Sequence, residues 1–242
     1  MPPRALKPVG VALVDKPAGP SSFALVAALR RRTLARTGHA GTLDPFATGL
    51  LLLLSGAATR LAPCFVGLDK RYVTDVDLSS TTTTGDLEGK TLDEHAPPSE
   101  DELHGALAAL RGEVELPIPA ASAVKIDGER AYKLARRGVA VEMPLRRSTV
   151  HTLELVERVA EGTTVSLALH VTSGTYVRAI AQALGGHCTS LRRTAIGPFA
   201  IAEAAPVETV ELQPVAGVLE RLGPDALAKV AEPVRAGVLA LG

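Results

Sequence analysis

Residues 38–50 read Gly-His-Ala-Gly-Thr-Leu-Asp-Pro-Phe-Ala-Thr-Gly-Leu. They place one carboxylate, Asp44, among small residues, five positions after His39 and directly before Pro45. Glycines at 38, 41 and 49 carry no Cβ, so the backbone there can turn sharply or approach a ligand closely. Pro45 disfavours helical backbone at Asp44. A lone acid displayed on a tight loop suits a nucleophile or base that must touch a bulky substrate. The same residues would also make an ordinary Asp-Pro turn with a capping role. Residue types alone leave both readings open.

The whole string resembles the G-H-x-G-x-L-D-P-x-A-x-G-x-L signature of the TruB family of tRNA pseudouridine synthases, in which the Asp is catalytic. Four further segments resemble the same family. Val14-Asp15-Lys16-Pro17, with Gly19, Ser21 and Ser22, is similar to D-K-P-x-G-x-S-S, which implies that Lys16 and Pro17 support the acid loop. Asp69-Lys70-Arg71-Tyr72 is similar to D-K-x-Y, which implies Tyr72 in the uridine pocket. Ser122-Ala123-Val124-Lys125, with Gly128, Arg130-Ala131-Tyr132 and Leu134-Ala135-Arg136, resembles an RNA-clasping insertion. That implies RNA contacts by Lys125, Arg130, Lys133 and Arg137. Ser173-Gly174-Thr175-Tyr176-Val177-Arg178 and Leu191-Arg192-Arg193 resemble G-T-Y-[IV]-R and L-R-R. They imply substrate contacts by Tyr176 and Leu191, and an arginine, Arg178, set against the catalytic Asp. In the resemblance His39 lies beside the flipped nucleotide. Two positions depart from the pattern: Ala121 stands where an aromatic is common, and Thr83 replaces an acid while Asp86 keeps the other.

The resemblance implies isomerisation of the T-loop uridine, U55, of tRNA to pseudouridine, with no cofactor and no metal. The implied partner is the TΨC stem-loop, with no membrane and no obligate protein partner evident. A tRNA-binding folding chaperone using the same surface without turnover is the alternative; the intact loop with Tyr72 and Arg178 favours the enzyme. One independent observation agrees. The chain has seven aromatics and no Trp, yet its three tyrosines, at 72, 132 and 176, all fall in these segments. A tyrosine can stack on an unpaired base. At Tyr132 local packing explains the residue at least as well.

Composition bounds the rest. With 242 residues the chain can bury a core. Cys64 and Cys188 are too few for a disulfide framework, and no Cys or His spacing suggests a metal. No secretion signal is evident and the leucine run is too short to span a bilayer, so the expected location is the cytoplasm. Net charge is zero but segregated. Residues 1–72 carry ten Lys and Arg against three acids, 73–117 two against eleven, and 118–151 seven against three. Local field, not total charge, decides phosphate binding. Arg30, Arg31, Arg32 and Arg36 fit such a basic patch and fit equally well as the cationic end of a helix.

The elements that must position these residues follow from pattern. Val9–Val14 reads as a strand, and a helix capped by Ser21 or Ser22 runs to about Arg36, before Gly38 stops it. Leu50–Leu54 reads as a buried strand and Lys70–Leu78 as another. Ser79–Pro98 reads as a long loop, and a capping box at Ser99 opens a helix that ends at Gly112. Residues 118–143 show no core strand, with Arg130, Lys133, Arg136 and Arg137 on a short helical stretch that is expected to order on RNA. Thr164–Thr172 alternates as a half-buried strand, and Val177, Ile180, Ala181 and Leu184 mark a helix. Leu191 begins a last strand, and residues from Glu208 on look helical. The irregular alternation predicts an α+β fold with a largely antiparallel or mixed central sheet and flanking helices; the resemblance makes it the pseudouridine synthase fold. The expected organisation is a catalytic domain over 1–205, including an insertion at about 113–150. A helical tail over 206–242 is too short for the PUA domain common in bacterial members.

Overall fold

A computed structural model describes residues 8–122, 124–126, 128–131, 137, 142–159 and 162–241. In chain order the first strands are β1 (Gly10–Lys16), β2 (Thr37–His39), β3 (Thr48–Ser55), β4 (Lys70–Asp77), β5 (Ser80–Thr82) and β6 (Thr91–Glu94). They are followed by β7 (Gly112–Pro117), β8 (Lys125–Ile126), β9 (Glu129–Arg130), β10 (Leu145–Val159), β11 (Thr164–Val171), β12 (His187–Ile196) and β13 (Phe199–Ala200). The helices used below are α1 (Ser22–Thr33), α2 (Ala62–Val66), α3 (Glu100–Ala109) and α4 (Val177–Ala183). The chain forms two compact units, one from residues up to Tyr72 and from Arg192 onward, the other from Val73 to Leu191. It passes between them within β4 and β12.

In the first unit the leucine run is the central strand. β3 pairs antiparallel with β1, from Gly10↔Ser55 to Lys16↔Gly49, and with β2 at Thr37↔Ser55 to His39↔Leu53. The end of β12 runs parallel to its start, at Arg192↔Thr48 and Arg193↔Gly49. Successive side chains of a strand point to opposite faces. Accordingly Leu50, Leu52 and Leu54 pack with Phe65, Phe199 and residues 215–238, while Leu51 and Leu53 pack with Leu25, Val26 and Leu29 of α1 and with Val207 and Val210. Covering on both faces explains an unbroken apolar run instead of alternation.

In the second unit the strand order is β12, β4, β11, β10, β7. β10 pairs antiparallel with both β11 and β7. Antiparallel pairs predominate, so the α+β class with a mostly antiparallel mixed sheet holds.

Several local expectations are corrected. Helix α1 ends at Thr33, where Leu34 turns left-handed at φ 51°, and not near Arg36. Gly38 does not stop it; it lies inside β2, because pairing with β3 draws the chain into extended form by Thr37. The expected loop over 79–98 contains the β5–β6 hairpin. Its β6 strand is exposed throughout, which hides the period that reveals a half-buried strand. Helix α3 opens on the expected Ser99–Glu102 capping box but ends at Ala109, and Gly112 starts β7. Arg130 lies in β9, in a short hairpin with β8, and not on a helix. The fifteen-residue β10 was not anticipated, and β12 starts at His187, ahead of Leu191. Helix resumes only at Val215. Cys64 and Cys188 are both buried.

Candidate active site

Asp44 sits half-buried on the loop between β2 and β3, in the first unit. Four neighbours grip the backbone of that loop. Ser21 caps α1, which frees Ser22 for another task. The Ser22 hydroxyl accepts from the Leu43 N–H at 2.8 Å and donates to the Leu43 carbonyl at 2.9 Å. The Gly19 N–H donates to the Pro45 carbonyl at 2.8 Å. Lys16, fully buried at the end of β1, donates through Nζ to the carbonyls of Ala47 (2.6 Å), Pro17 (2.9 Å) and Pro45 (3.0 Å). Arg193, buried on β12, donates to the carbonyls of Leu50 (2.7 Å), Gly41 (3.2 Å) and Thr42 (3.3 Å).

Two buried cations therefore hold the acid loop by its carbonyl oxygens. Burial pushes the Lys16 ammonium down from 10.5 to about 8; the Asp44 charge opposes this and Arg193 adds to it. Positive charge beneath the loop favours the ionised form of a carboxylate. The Lys16 ammonium thus shares its charge among three backbone carbonyls, one of them from Pro17.

Arg193 was not among the expected site residues, although its motif was visible. The signal that identifies it is Gly49, at φ 101°: a Cβ there would fall 2.3 Å from the Arg193 carbonyl oxygen. The strand carrying Arg193 can reach the loop only past a glycine. Gly41, at φ 108°, also needs its freedom, whereas Gly38 has neither a left-handed backbone nor a close neighbour. Beside Arg193, Arg192 forms a bidentate pair with Asp15 at 2.8 and 3.2 Å, so D-K-P and L-R-R are fastened to each other.

His39, at the end of β2, has a buried Nδ1 with no hydrogen-bond partner among the described residues. Burial and Arg193 both lower its pKa, so the ring is neutral at pH 7 and keeps an open polar position. Tyr72 is 9% exposed and shares the inward face of β4 with Lys70. Lys70 is itself buried, donates to the Val66 and Leu68 carbonyls at the end of α2, and is lowered to about 8, chiefly by burial.

In the second unit Arg178, on α4, is 3% exposed and pairs with Asp86 at 3.2 Å. It also donates to the carbonyls of Thr84 (2.7 Å) and Ala121 (3.1 Å). The other Asp86 oxygen accepts from the Thr84 hydroxyl and the Glu88 N–H. Asp86 as a partner of Arg178 was not foreseen, since 92 positions separate them. Tyr176 is half-buried at the N-cap of α4, and Leu191 is buried. Arg137 is exposed and pairs with Glu129 at 2.8 Å. Lys125 and Arg130 fall on β8 and β9. Lys133 lies outside the described residues, as do Tyr132, Leu134, Ala135 and Arg136.

The architecture is that of the pseudouridine synthases. A crystal structure of a Cbf5–Nop10–Gar1 complex is similar over 79% of this chain and 50% of that one, with a TM-score of 0.61 and 29% identity. The chain thus spans half the length of that relative. The sequence model of the TruB family pseudouridylate synthase N-terminal domain matches residues 30–177. A protein named tRNA pseudouridine synthase B from Corynebacterium jeikeium is 41% identical over 85% of this chain and 72% of its own. A namesake from Aromatoleum aromaticum is 43% identical over 90% and 73%. The chain belongs to the TruB family of pseudouridylate synthases.

Proposed function

We propose that this chain isomerises the T-loop uridine of tRNA, U55, to pseudouridine, with Asp44 as the catalytic residue. Pseudouridine formation in tRNA agrees with the family and with the names of its relatives. The observation that carries the residue assignment is the loop itself, an acid held in place by two buried cations that bind its carbonyls. A surface that only bound and refolded RNA would need no such acid, so the chaperone reading is not favoured.

The reaction breaks the bond from C1′ to N1 of uracil and forms one from C1′ to C5. N1 gains a proton and C5 loses one. A stacked base is out of reach, so the nucleotide is flipped out. Asp44 then acts on the glycosidic bond, by attack at ribose or base or by removing a ribose proton. Tyr72 stacks on the uracil and assists proton loss at C5, and His39 offers its open nitrogen to the displaced nucleotide. Tyr176 and Leu191 complete the substrate contacts, and Lys125, Arg130, Lys133 and Arg137 meet RNA phosphates. Arg178 is the arginine that the family's motif sets against the catalytic Asp.

Asp44→Asn is nearly isosteric and removes the charge. It abolishes pseudouridine at that position, mapped in tRNA incubated with purified protein, while T-arm affinity stays within several-fold. Activity near wild type removes Asp44 from the reaction. Arg178→Lys keeps the charge but loses the planar fork, and turnover falls.

A further inference from the structure

Arg30, Arg31 and Arg36 are exposed, and none has a hydrogen-bond acceptor or carboxylate partner among the described residues. With Leu34, Ala35 and Thr37 they line a groove of about 540 Å³ at the end of α1. Asp44 is the only acid between Asp15 and Asp69, so nothing in this segment neutralises them. Cations at a helix C-terminus are favoured by its dipole, which would account for Arg30 and Arg31. It does not account for Arg36, which lies beyond the helix. Arg32 already serves the fold, donating to the carbonyls of Val207 and Val210.

Leu34 is the second observation. It is 75% exposed, and among the described residues it is the one non-glycine with positive φ, at 51°. That position usually takes glycine. A leucine there accepts backbone strain and water contact together, and strain of this kind clusters at functional sites. The groove thus has an aliphatic wall between guanidiniums. That chemistry fits ribose against the apolar side and phosphate against the planar forks.

We infer that this groove binds the ribose–phosphate backbone of the RNA substrate. Strand β2 continues from it directly to the catalytic loop. Asp44 lies eight positions after Arg36, so the two lie within about 28 Å even for extended chain. One RNA can meet both. The inference rests on tRNA being the substrate.

The test replaces Arg30, Arg31 and Arg36 together by Gln, with Leu34→Gly made separately. The triple variant should weaken tRNA binding about tenfold and flatten the slope of log K against log salt by about 2 to 3, at about 0.7 to 0.9 per phosphate. Its kcat at saturating RNA should match wild type. Leu34→Gly should raise the unfolding temperature, since glycine accepts this backbone, and still raise KM. If the triple variant loses thermal stability with affinity and slope unchanged, the arginines serve only the helix and the inference falls. It falls also if Leu34→Gly leaves KM unaltered while the triple variant binds tRNA normally. Binding of wild type, but not the variant, to anionic lipid vesicles with tRNA affinity unchanged would assign the groove to a membrane and overturn it. Absence of pseudouridine from wild-type reactions, with an arginine-dependent salt slope intact, would overturn the proposed reaction and leave this surface standing.

Discussion

Lys16 has no bulk water around it, and its charge is spread over three backbone carbonyls. Replacing it by Met leaves those acceptors without a donor, at about 1–3 kcal/mol each, offset in part because no charge is buried. Lys16→Met should therefore lose about 2 kcal/mol in urea unfolding and lose most activity, since the Asp44 loop slackens. The wild-type residue also titrates. Its folded pKa, about 8, is below the unfolded 10.5, so burial penalises the fold fully below about pH 8. That penalty is relieved between about 8 and 10.5, and the group's contribution to stability rises with pH in that window. Activity should move the other way, because a neutral amine has two protons for three carbonyls. A kcat profile should fall above about pH 8, and Lys70→Met should keep that fall, although Lys70 is lowered to a similar value. Loss of the fall in Lys70→Met would assign it to the wrong lysine. Arg178 poses the buried-charge problem differently. Asp86→Asn removes the buried carboxylate charge paired with Arg178 and should cost about 3 kcal/mol of stability, whereas Glu129→Gln at the exposed Arg137 pair should change stability almost not at all.

At the scale of elements, the acid loop depends on how closely β12 approaches β3. Gly49→Ala puts a methyl group 2.3 Å from the Arg193 carbonyl oxygen on a backbone at φ 101°. The parallel pair must open, and the expected loss is about 3 kcal/mol with activity falling further than stability, because Arg193 moves with its strand. Gly38→Ala, in the same motif, meets nothing nearer than 3.9 Å and has an ordinary backbone. It should be neutral or slightly stabilising in thermal unfolding. Equal effects at the two glycines would mean that strand approach is not what the motif protects. This contrast also marks what was legible. The loop, β1, β3 and β11 could be read because their information is local, in contiguous motifs or in clean periodicity. β10 could not, since its charged and apolar residues follow two bulges, at Val150/Thr152 and Leu155/Glu157, that break the period of two. The end of α1 was misplaced because pairing of β2 with β3, whose partners lie 14 to 18 positions away in sequence, decides where helix yields to strand.

Across the whole molecule, net charge is zero while the cations are concentrated in residues 1–72 and 118–151. Composition alone would argue against an RNA partner; the segregation of charge removes that objection, and the motifs point to the RNA. The partner of Arg178 was hidden for the opposite reason: Asp86 lies in the most acidic block, where no single acid stands out. Two basic sets are then expected to act on one RNA, the arginines of the α1 groove and the insertion's Arg130, Lys133 and Arg137. Three single-strand phosphate contacts by the insertion give a salt slope near −2. Replacing those three with Ala should flatten the slope by about that amount. Arg137 must leave Glu129 to contribute, so Glu129→Gln should tighten tRNA binding slightly at low salt and leave kcat unchanged. If the two sets touch separate phosphates, a variant lacking both should lose the sum of the two slope changes. Separate counterions are released independently, and distant sites add. A combined loss no larger than either alone would show that both sets compete for the same stretch of backbone. An unchanged slope after removal of the insertion cations would take that segment out of RNA binding altogether.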